Sequence, residues 1–184
     1  MSSLFHIELE DRLQTLSSED LAFFHHALTE LAKQERVTQI DLSVAFVDNA
    51  EIHRVNQEFL QHDYPTDVIS FLFDEEVTPQ GRALEGELVI GLEYACQIAE
   101  QNGWSWRDEL VLYGVHGLLH LCGYDDQDPA SRQIMRQQEG EWIRRLGLCV
   151  STVDRAVASD HPVASESQPG SPRPCSDAVA SPEP

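Results

Sequence analysis

Residues 116–126 read His116-Gly-Leu-Leu-His120-Leu-Cys-Gly123-Tyr-Asp-Asp126, and this string predicts a buried helix with a metal site at its end. Two histidines four residues apart lie on one face of a helix. Gly123 is suited to end that helix in a left-handed turn, after which Asp126 can fold back toward both imidazoles. Two helical histidines and one loop ligand leave the fourth position of a zinc ion open for water. The metal lowers the pKa of that water and makes it a nucleophile.

The residues around the two histidines strengthen this prediction, because a His-x-x-x-His pair alone is equally typical of two ordinary helical histidines. Leu118, Leu119 and Leu121 indicate a mostly buried helix, where polar side chains without partners are costly. The general base of His-Glu-x-x-His peptidases is a glutamate, and Gly117 stands in its place here. This substitution argues against a peptidase of that kind.

The composition is strongly acidic. The chain has 184 residues, a formal net charge of -20 and a single lysine, Lys33. Nucleic-acid enzymes usually carry a basic surface, so contact with RNA here requires local arginines or a protein partner. No apolar run reaches transmembrane length, and no signal-peptide pattern is visible. The four cysteines form no C-x-x-C pair, and we interpret them as reduced thiols of a cytoplasmic protein.

Residues 1–148 are predicted to form one domain, and residues 149–184 a disordered, acidic Ser/Pro/Ala-rich tail. Apolar patterning predicts four strands, at residues 4–10, 40–47, 68–73 and 86–91. Helical spacing and caps predict a helix that starts after Ser17 and further helices at 50–60, 93–101, 106–121 and 130–146. The strand at 68–73 is apolar on both faces, which predicts a central place in the sheet. The acidic segment 74–85 is predicted to be a loop.

Three segments together resemble the YbeY family of bacterial endoribonucleases, which mature ribosomal RNA. Residues 65–71, Pro-Thr-Asp-Val-Ile-Ser-Phe, are similar to the family's P-T-D-V-L-S-F strand. Residues 86–90, Gly-Glu-Leu-Val-Ile, are similar to its G-D-I-x-I strand. Residues 116–126 match H-G-x-L-H-L-x-G-Y-D-H at every defined position but the last. The resemblance runs from about Asn56 to Ile143.

The resemblance implies an α+β fold, a small mixed four-stranded sheet packed with about five helices. It implies one Zn²⁺ per chain, held by His116, His120 and position 126, and a metal-activated water that hydrolyses single-stranded RNA. The implied role is maturation of the 3′ end of small-subunit (16S) rRNA and ribosome quality control. The implied partners are single-stranded RNA, small-subunit rRNA, the ribosome and its associated proteins, and neither DNA nor a membrane is expected.

Three positions depart from the family pattern. Asp126 replaces a histidine; aspartate is an acceptable zinc ligand, but its charge reduces the acidity of bound water and also suits manganese or magnesium. The neighbouring Asp125 is an alternative ligand. Leu60 stands where the family has an arginine associated with RNA cleavage, and Arg54, about one helical turn away, is a candidate replacement. Glu87 replaces an aspartate and keeps its charge.

Thr66, Asp67, Ser70 and Arg54 are the candidate substrate-binding residues. For Thr66 and Asp67, a hydrogen-bonded start of the following strand is an equally good interpretation. Asp67 is also a candidate partner for a ligand imidazole. No side chain in the sequence is an evident general base.

Two other classes of function compete with the ribonuclease. One is a zinc hydrolase of another substrate class, which the missing glutamate and the P-T-D-V strand disfavour. The other is a non-catalytic ribosome-assembly factor with a structural metal, which the lost arginine and the negative charge favour. The ribonuclease is preferred because the metal motif is nearly complete and its fourth position is open.

Overall fold

The computed structural model describes residues 4–150. In chain order its elements are β1 (Phe5–Asp11), α1 (Ser18–Gln34), β2 (Val37–Val47), α2 (Asn49–Leu60), β3 (Val68–Thr78), β4 (Gly81–Gly91), α3 (Leu92–Asn102), α4 (Trp106–Leu121) and α5 (Pro129–Arg145). The strand order is β1-β2-β4-β3. The β1–β2 and β2–β4 pairs are parallel, and β3 runs antiparallel to β4. The predicted α+β fold with a mixed four-stranded sheet is confirmed.

Helix α4 lies at the centre of the main core because it is apolar around most of its circumference. It packs against β3 and β4 and against α1, α3 and α5. Two glycines let its neighbours approach closely: a Cβ at Gly114 would lie 2.4 Å from the ring of Phe24, and one at Gly117 would lie 2.9 Å from Leu88. The histidines of the motif are therefore carried by a helix that packs against two strands and three other helices.

A smaller apolar cluster covers the other face of the sheet. It consists of Ala45, Val47, Ile52, Ile69 and Val89. Helix α2 supplies Ile52 to this cluster and ends at Gln61, which has a left-handed conformation with φ 61°. The chain then turns into residues 62–67, which lead directly into β3.

The position predicted for the strand at 68–73 is wrong. Strand β3 is at the edge of the sheet, with β4 as its neighbour in the described sheet. Its two faces are nevertheless both covered at its start, where Ile69 packs in the smaller cluster and Ser70 contacts α4 through Gly117. Apolar residues on both faces of a strand indicate that both faces are covered by other elements. They do not indicate that the strand has a hydrogen-bonded neighbour on each of its two edges.

The loop predicted for residues 74–85 is also wrong. Strands β3 and β4 continue through this segment as a hairpin that pairs Thr78 with Gly81. The β3 arm is exposed along its length after Phe71, so it has no buried face to produce an alternating apolar pattern. Its acidic residues fit a solvent-exposed edge strand, where charge discourages pairing with another chain.

The strand predicted at residues 86–91 begins earlier, at Gly81, as part of this hairpin, and the remaining predicted elements are observed within three residues of their predicted limits. Cys122 and Cys149 are free thiols, as predicted. Residues 151–184, which make up nearly all of the predicted tail, lie outside the residues that the structure describes. Among the described helices, none is both long enough and apolar enough to cross a membrane.

Candidate metal centre

The end of α4 and the loop after it bring three potential metal ligands together. His116, His120 and Asp126 each offer one ligand atom, and these atoms all lie within 4.8 Å of one another. The two Nε2 atoms are 3.0 Å apart. Oδ2 of Asp126 lies 3.9 Å from Nε2 of His116, and Oδ1 of Asp126 lies 3.9 Å from Nε2 of His120. Tetrahedral zinc with bonds of about 2.1 Å holds its ligand atoms about 3.4 Å apart. The observed separations lie on both sides of that value, so the three groups fit such an ion.

The other ring nitrogen of each histidine is held by a hydrogen-bond acceptor. His120 Nδ1 lies 3.0 Å from the backbone oxygen of Tyr124, and it must donate because a carbonyl only accepts. His116 Nδ1 lies 2.5 Å from Oε1 of Glu139. In a neutral imidazole the second nitrogen then carries a lone pair, so the two Nε2 atoms, 3.0 Å apart, both carry lone pairs. Such lone pairs repel unless a proton or a cation lies between them.

The protonation state of His120 also suits metal binding. Burial lowers the pKa of His120, and the neighbouring His116 lowers it further. The carboxylates of Asp126 and Asp67 and the hydrogen bond to Tyr124 act in the opposite direction without reversing the shift. A histidine ligand must be neutral to bind a metal ion, and a lowered pKa favours that form near neutral pH.

Of the two neighbouring aspartates, Asp126 is the one whose carboxylate lies close to both histidines. Oδ1 of its neighbour Asp125 accepts hydrogen bonds from the backbone N–H groups of Asp126 and Gln127, at 2.8 and 3.2 Å. Asp125 therefore stabilises the turn of the loop. Nε of Arg132 donates to the backbone oxygen of Asp126 at 3.0 Å and ties the loop to α5. The side chain of Asp126 remains 42 % exposed, so the group is open to solvent on that side.

The three residues line a cleft with a volume of about 480 Å³. The segment after α2 contributes His62, Tyr64, Thr66 and Asp67 to it, and α2 itself contributes Leu60. The rings of His62 and Tyr64 are stacked, with centroids 5.3 Å apart and an interplanar angle of 12°. The cleft therefore combines the candidate metal ligands with a nearly parallel pair of aromatic rings.

Helix α5 forms another part of the cleft. It contributes Arg132, Met135, Arg136 and Glu139, four residues at the spacing of one helix face. Met135 and Glu139 are buried, and the two arginines are half-buried. The charged groups of the cleft thus come from α5, from the loop after α4 and from the segment before β3.

The structure brings some of the predicted substrate-binding residues to the cleft. Thr66 and Asp67 line it, and Oδ1 of Asp67 also accepts hydrogen bonds from Thr66 Oγ1 and from the backbone N–H of Val68, both at 2.9 Å. These are the hydrogen bonds of a capped strand start, so both interpretations of the pair have structural support. The charge of Asp67 also opposes the lowering of the pKa of His120 without reversing it, while the predicted contact of Asp67 with a ligand imidazole stays a prediction.

Ser70 and Arg54 have other surroundings. Oγ of Ser70 donates to the backbone oxygen of Gly117 at 3.2 Å and fastens β3 to α4. The side chain of Arg54 is 71 % exposed and lies 3.8 Å from Glu51. Neither residue is among those that line the cleft, so their predicted contact with substrate stays a prediction.

Sequence analysis missed the residues that α5 contributes. A signal for Glu139 was present, because it lies between Met135 and Trp142 on the buried stripe of α5, where a carboxylate requires a partner. Arg136 lies within this stripe, between Met135 and Glu139, and Arg132 extends it toward the start of the helix. Nothing local to residues 116–126 indicated which face of α5 would meet them.

Comparison with known proteins identifies the family. A family model described as Endoribonuclease YbeY matches residues 6–147 of the chain. The chain belongs to the YbeY family. The match includes all three members of the candidate metal group and the whole of α5.

Individual relatives agree with this assignment. Endoribonuclease YbeY of Rhodopirellula baltica is 47 % identical over 109 residues, which are 58 % of this chain and 54 % of that protein. This chain therefore matches about half the length of that relative. Endoribonuclease YbeY of Salinibacter ruber is 34 % identical over 131 residues, 69 % of this chain and 83 % of that protein. The solution structure of TM1509 from Thermotoga maritima is similar, with a TM-score of 0.55 and 26 % identity, over 76 % of this chain and 88 % of that one.

Proposed function

We propose that this YbeY-family chain is an endoribonuclease that hydrolyses single-stranded RNA in ribosomal RNA processing, with one Zn²⁺ held by His116, His120 and Asp126. The observation that carries the proposal is the convergence of two Nε2 lone pairs and a carboxylate in an open cleft. Three protein ligands with an open side are typical of a catalytic zinc site, whereas structural sites are closed by four.

The residues of the chain hold the site in place for this reaction. His116, His120 and Asp126 would hold the zinc ion, and the chemistry supplied there would be Lewis acidity and the activation of water. Glu139 and the carbonyl of Tyr124 hold the two imidazoles in the tautomer that binds a metal. Arg132 holds the loop that carries Asp126. The chain thereby presents a preformed ligand set to the ion and leaves the cleft side free for a phosphodiester.

The stacked rings of His62 and Tyr64 support single-stranded RNA as the substrate. Bases of a single strand are free to stack on aromatic side chains, and such stacking contributes about 1–3 kcal/mol per base. In a duplex the bases already stack on one another and expose only their edges. A cleft that places an aromatic pair near the candidate metal group therefore favours unpaired RNA.

The more specific part of the proposal follows the family resemblance. We propose that the substrate is the 3′ end of small-subunit (16S) rRNA, that the chain acts with the ribosome in rRNA maturation and quality control, and that it works in the cytoplasm. The net charge of -20 supports a requirement for a bound protein partner or ribosomal context, because an acidic surface repels RNA at long range.

Cleavage of a single-stranded oligoribonucleotide by the zinc-loaded protein tests this function. We expect cleavage that stops with chelator, returns with zinc and is absent in His116→Ala, while the same sequence in a perfect duplex is spared. A metal-loaded protein that binds small ribosomal subunits without cutting their rRNA would contradict the proposal and support the assembly factor. Cleavage of another substrate class alone would support the hydrolase alternative.

A further inference from the structure

Two arginines lie beside the candidate metal group on the cleft face of α5. Arg136 is three residues before Glu139, which is one turn of helix, and Glu139 contacts His116. Arg132 lies one turn earlier and contacts the loop of Asp126. Both arginines line the cleft that contains His116, His120 and Asp126.

The two arginines differ in their partners. Nε of Arg132 already donates to the backbone oxygen of Asp126, so Arg132 positions the ligand loop. Arg136 makes no hydrogen bond and no ion pair with any residue in the range 4–150, although it is half-buried. Most other cations of this range pair with carboxylates, namely Arg12, Lys33, Arg54, Arg82 and Arg107. A half-buried guanidinium that lacks a described partner, in a chain this acidic, is suited to an anionic ligand.

The charges of the cleft favour an anion once a metal is bound. Asp67, Asp126 and Glu139 are its carboxylates, and Arg132 and Arg136 are its guanidinium groups. A divalent cation in the cleft therefore changes the balance of these charges from negative to positive. With a metal ion bound, the cleft then has a net positive charge, although the chain as a whole has a formal net charge of -20.

We propose that Arg136 binds a phosphate of the RNA substrate next to the metal group, and this inference rests on the proposed function. A guanidinium donates two parallel hydrogen bonds to a phosphate and stabilises charge that develops on it. Leu60 lines the same cleft from α2, and the guanidinium groups among the residues that line this cleft come from α5 alone.

The test measures binding of a single-stranded oligoribonucleotide to the zinc-loaded full chain at several salt concentrations, with the integrity of the RNA checked on a gel after each titration. The variants are Arg136→Gln, Arg136→Lys and the control Arg144→Gln, which removes the same charge from an exposed position of α5. Zinc content and circular dichroism verify that each variant retains the site and the fold.

We expect Arg136→Gln to bind about tenfold more weakly, because one charged hydrogen-bonded contact is lost. The slope of log K against log salt should decrease in magnitude by about 0.7, the value for one phosphate contact in single-stranded nucleic acid. Arg136→Lys should retain most of the slope but only part of the affinity, because lysine cannot form the paired hydrogen bonds. Arg144→Gln should resemble the unmodified chain.

Equal binding and equal salt slopes for Arg136→Gln and Arg144→Gln would overturn this inference, while cleavage by the unmodified chain would leave the proposed function intact. Failure of the unmodified chain both to bind and to cleave single-stranded RNA would overturn the proposed function and this inference with it.

Discussion

Glu139 is the residue outside the ligand set that most directly controls the candidate metal centre. Its side chain is 3 % exposed, and its Oε1 accepts a hydrogen bond from Nδ1 of His116. This contact fixes the ring orientation and leaves Nε2 as the metal-binding nitrogen. A buried carboxylate without this partner would be costly, so the two residues stabilise each other's position.

Removal of the Glu139 carboxylate is expected to weaken metal binding. Glu139→Ala should lower zinc affinity by about 10- to 100-fold, the range seen when a partner of a ligand histidine is lost. Glu139→Gln should lose less, because its amide oxygen still accepts from His116. Affinity is measured by competition with a chromophoric chelator, and Glu141→Gln on the same helix is the control. Equal affinity of Glu139→Ala and the control would contradict this role.

As a proposed ligand, Asp126 is expected to affect which metal the site prefers. Asp126→His replaces its carboxylate with an imidazole, and it should increase the preference for zinc over manganese, because a carboxylate suits harder cations better than imidazole does. The measurement is the ratio of the zinc and manganese dissociation constants in the unmodified chain and in the variant. A ratio that does not change would mean that Asp126 is not a ligand.

Helix α4 could be predicted from nearby residues of the sequence, whereas the hairpin of β3 and β4 could not. The bounds of α4 were predicted from a Ser105 cap, a long apolar stretch and Gly123, all of which are close in the sequence. The hairpin of β3 and β4 was missed because its exposed arm has no buried face, and its stability comes from pairing with a strand rather than from an apolar pattern.

The start of α1 contains a charged cap that links it to α4. Asp20 accepts hydrogen bonds from the backbone and side chain of Ser17, and its carboxylate pairs with Arg107. Burial raises the pKa of Asp20, but these hydrogen bonds and the charge of Arg107 outweigh it, so the pKa is lowered. Since the folded pKa is below the unfolded value, the stabilisation is present above the unfolded pKa and is lost as pH falls through the folded pKa.

This cap gives a prediction about stability and pH. At neutral pH, Asp20→Asn should lower the free energy of unfolding by about 1 kcal/mol, a typical value for a helix cap. The difference from the unmodified chain should shrink as the pH falls from about 4, where Asp20 of the unfolded chain binds a proton, through the lower pKa of the folded state, where Asp20 becomes neutral. Urea unfolding at several pH values measures it. A difference that stays constant down to acid pH would show that the charge of Asp20 does not contribute.

The whole molecule shows why the candidate site was only partly predictable. His116, His120 and Asp126 lie within eleven residues, so helix geometry and a turn were enough to bring them together. Glu139 is 23 positions from His116, and the contact between them depends on how α5 packs on α4. The arginines of α5 also reach the cleft because α5 packs on α4, and a short sequence motif does not predict how two helices pack.

The proposed division of the chain into a domain at 1–148 and a tail at 149–184 predicts that the tail is dispensable for folding. A chain that ends after Val150 keeps α5 and the hydrogen bond from the backbone N–H of Cys149 to Asp108. Its thermal midpoint should stay within about 2 °C of the full chain, because less than about 1 kcal/mol is expected to be lost. Calorimetry measures it, and a much larger decrease would contradict the proposed boundary.

The most direct test of the account is the metal content of the purified full chain, measured by elemental mass spectrometry before any metal is added. We expect about one zinc per chain for the unmodified protein and for Asp125→Asn, which keeps the acceptor oxygen of the turn. We expect a clear loss of zinc in Asp126→Ala, with a circular dichroism spectrum that is unchanged. An unmodified chain without bound metal, or equal zinc in Asp126→Ala and Asp125→Asn, would contradict the proposed metal centre.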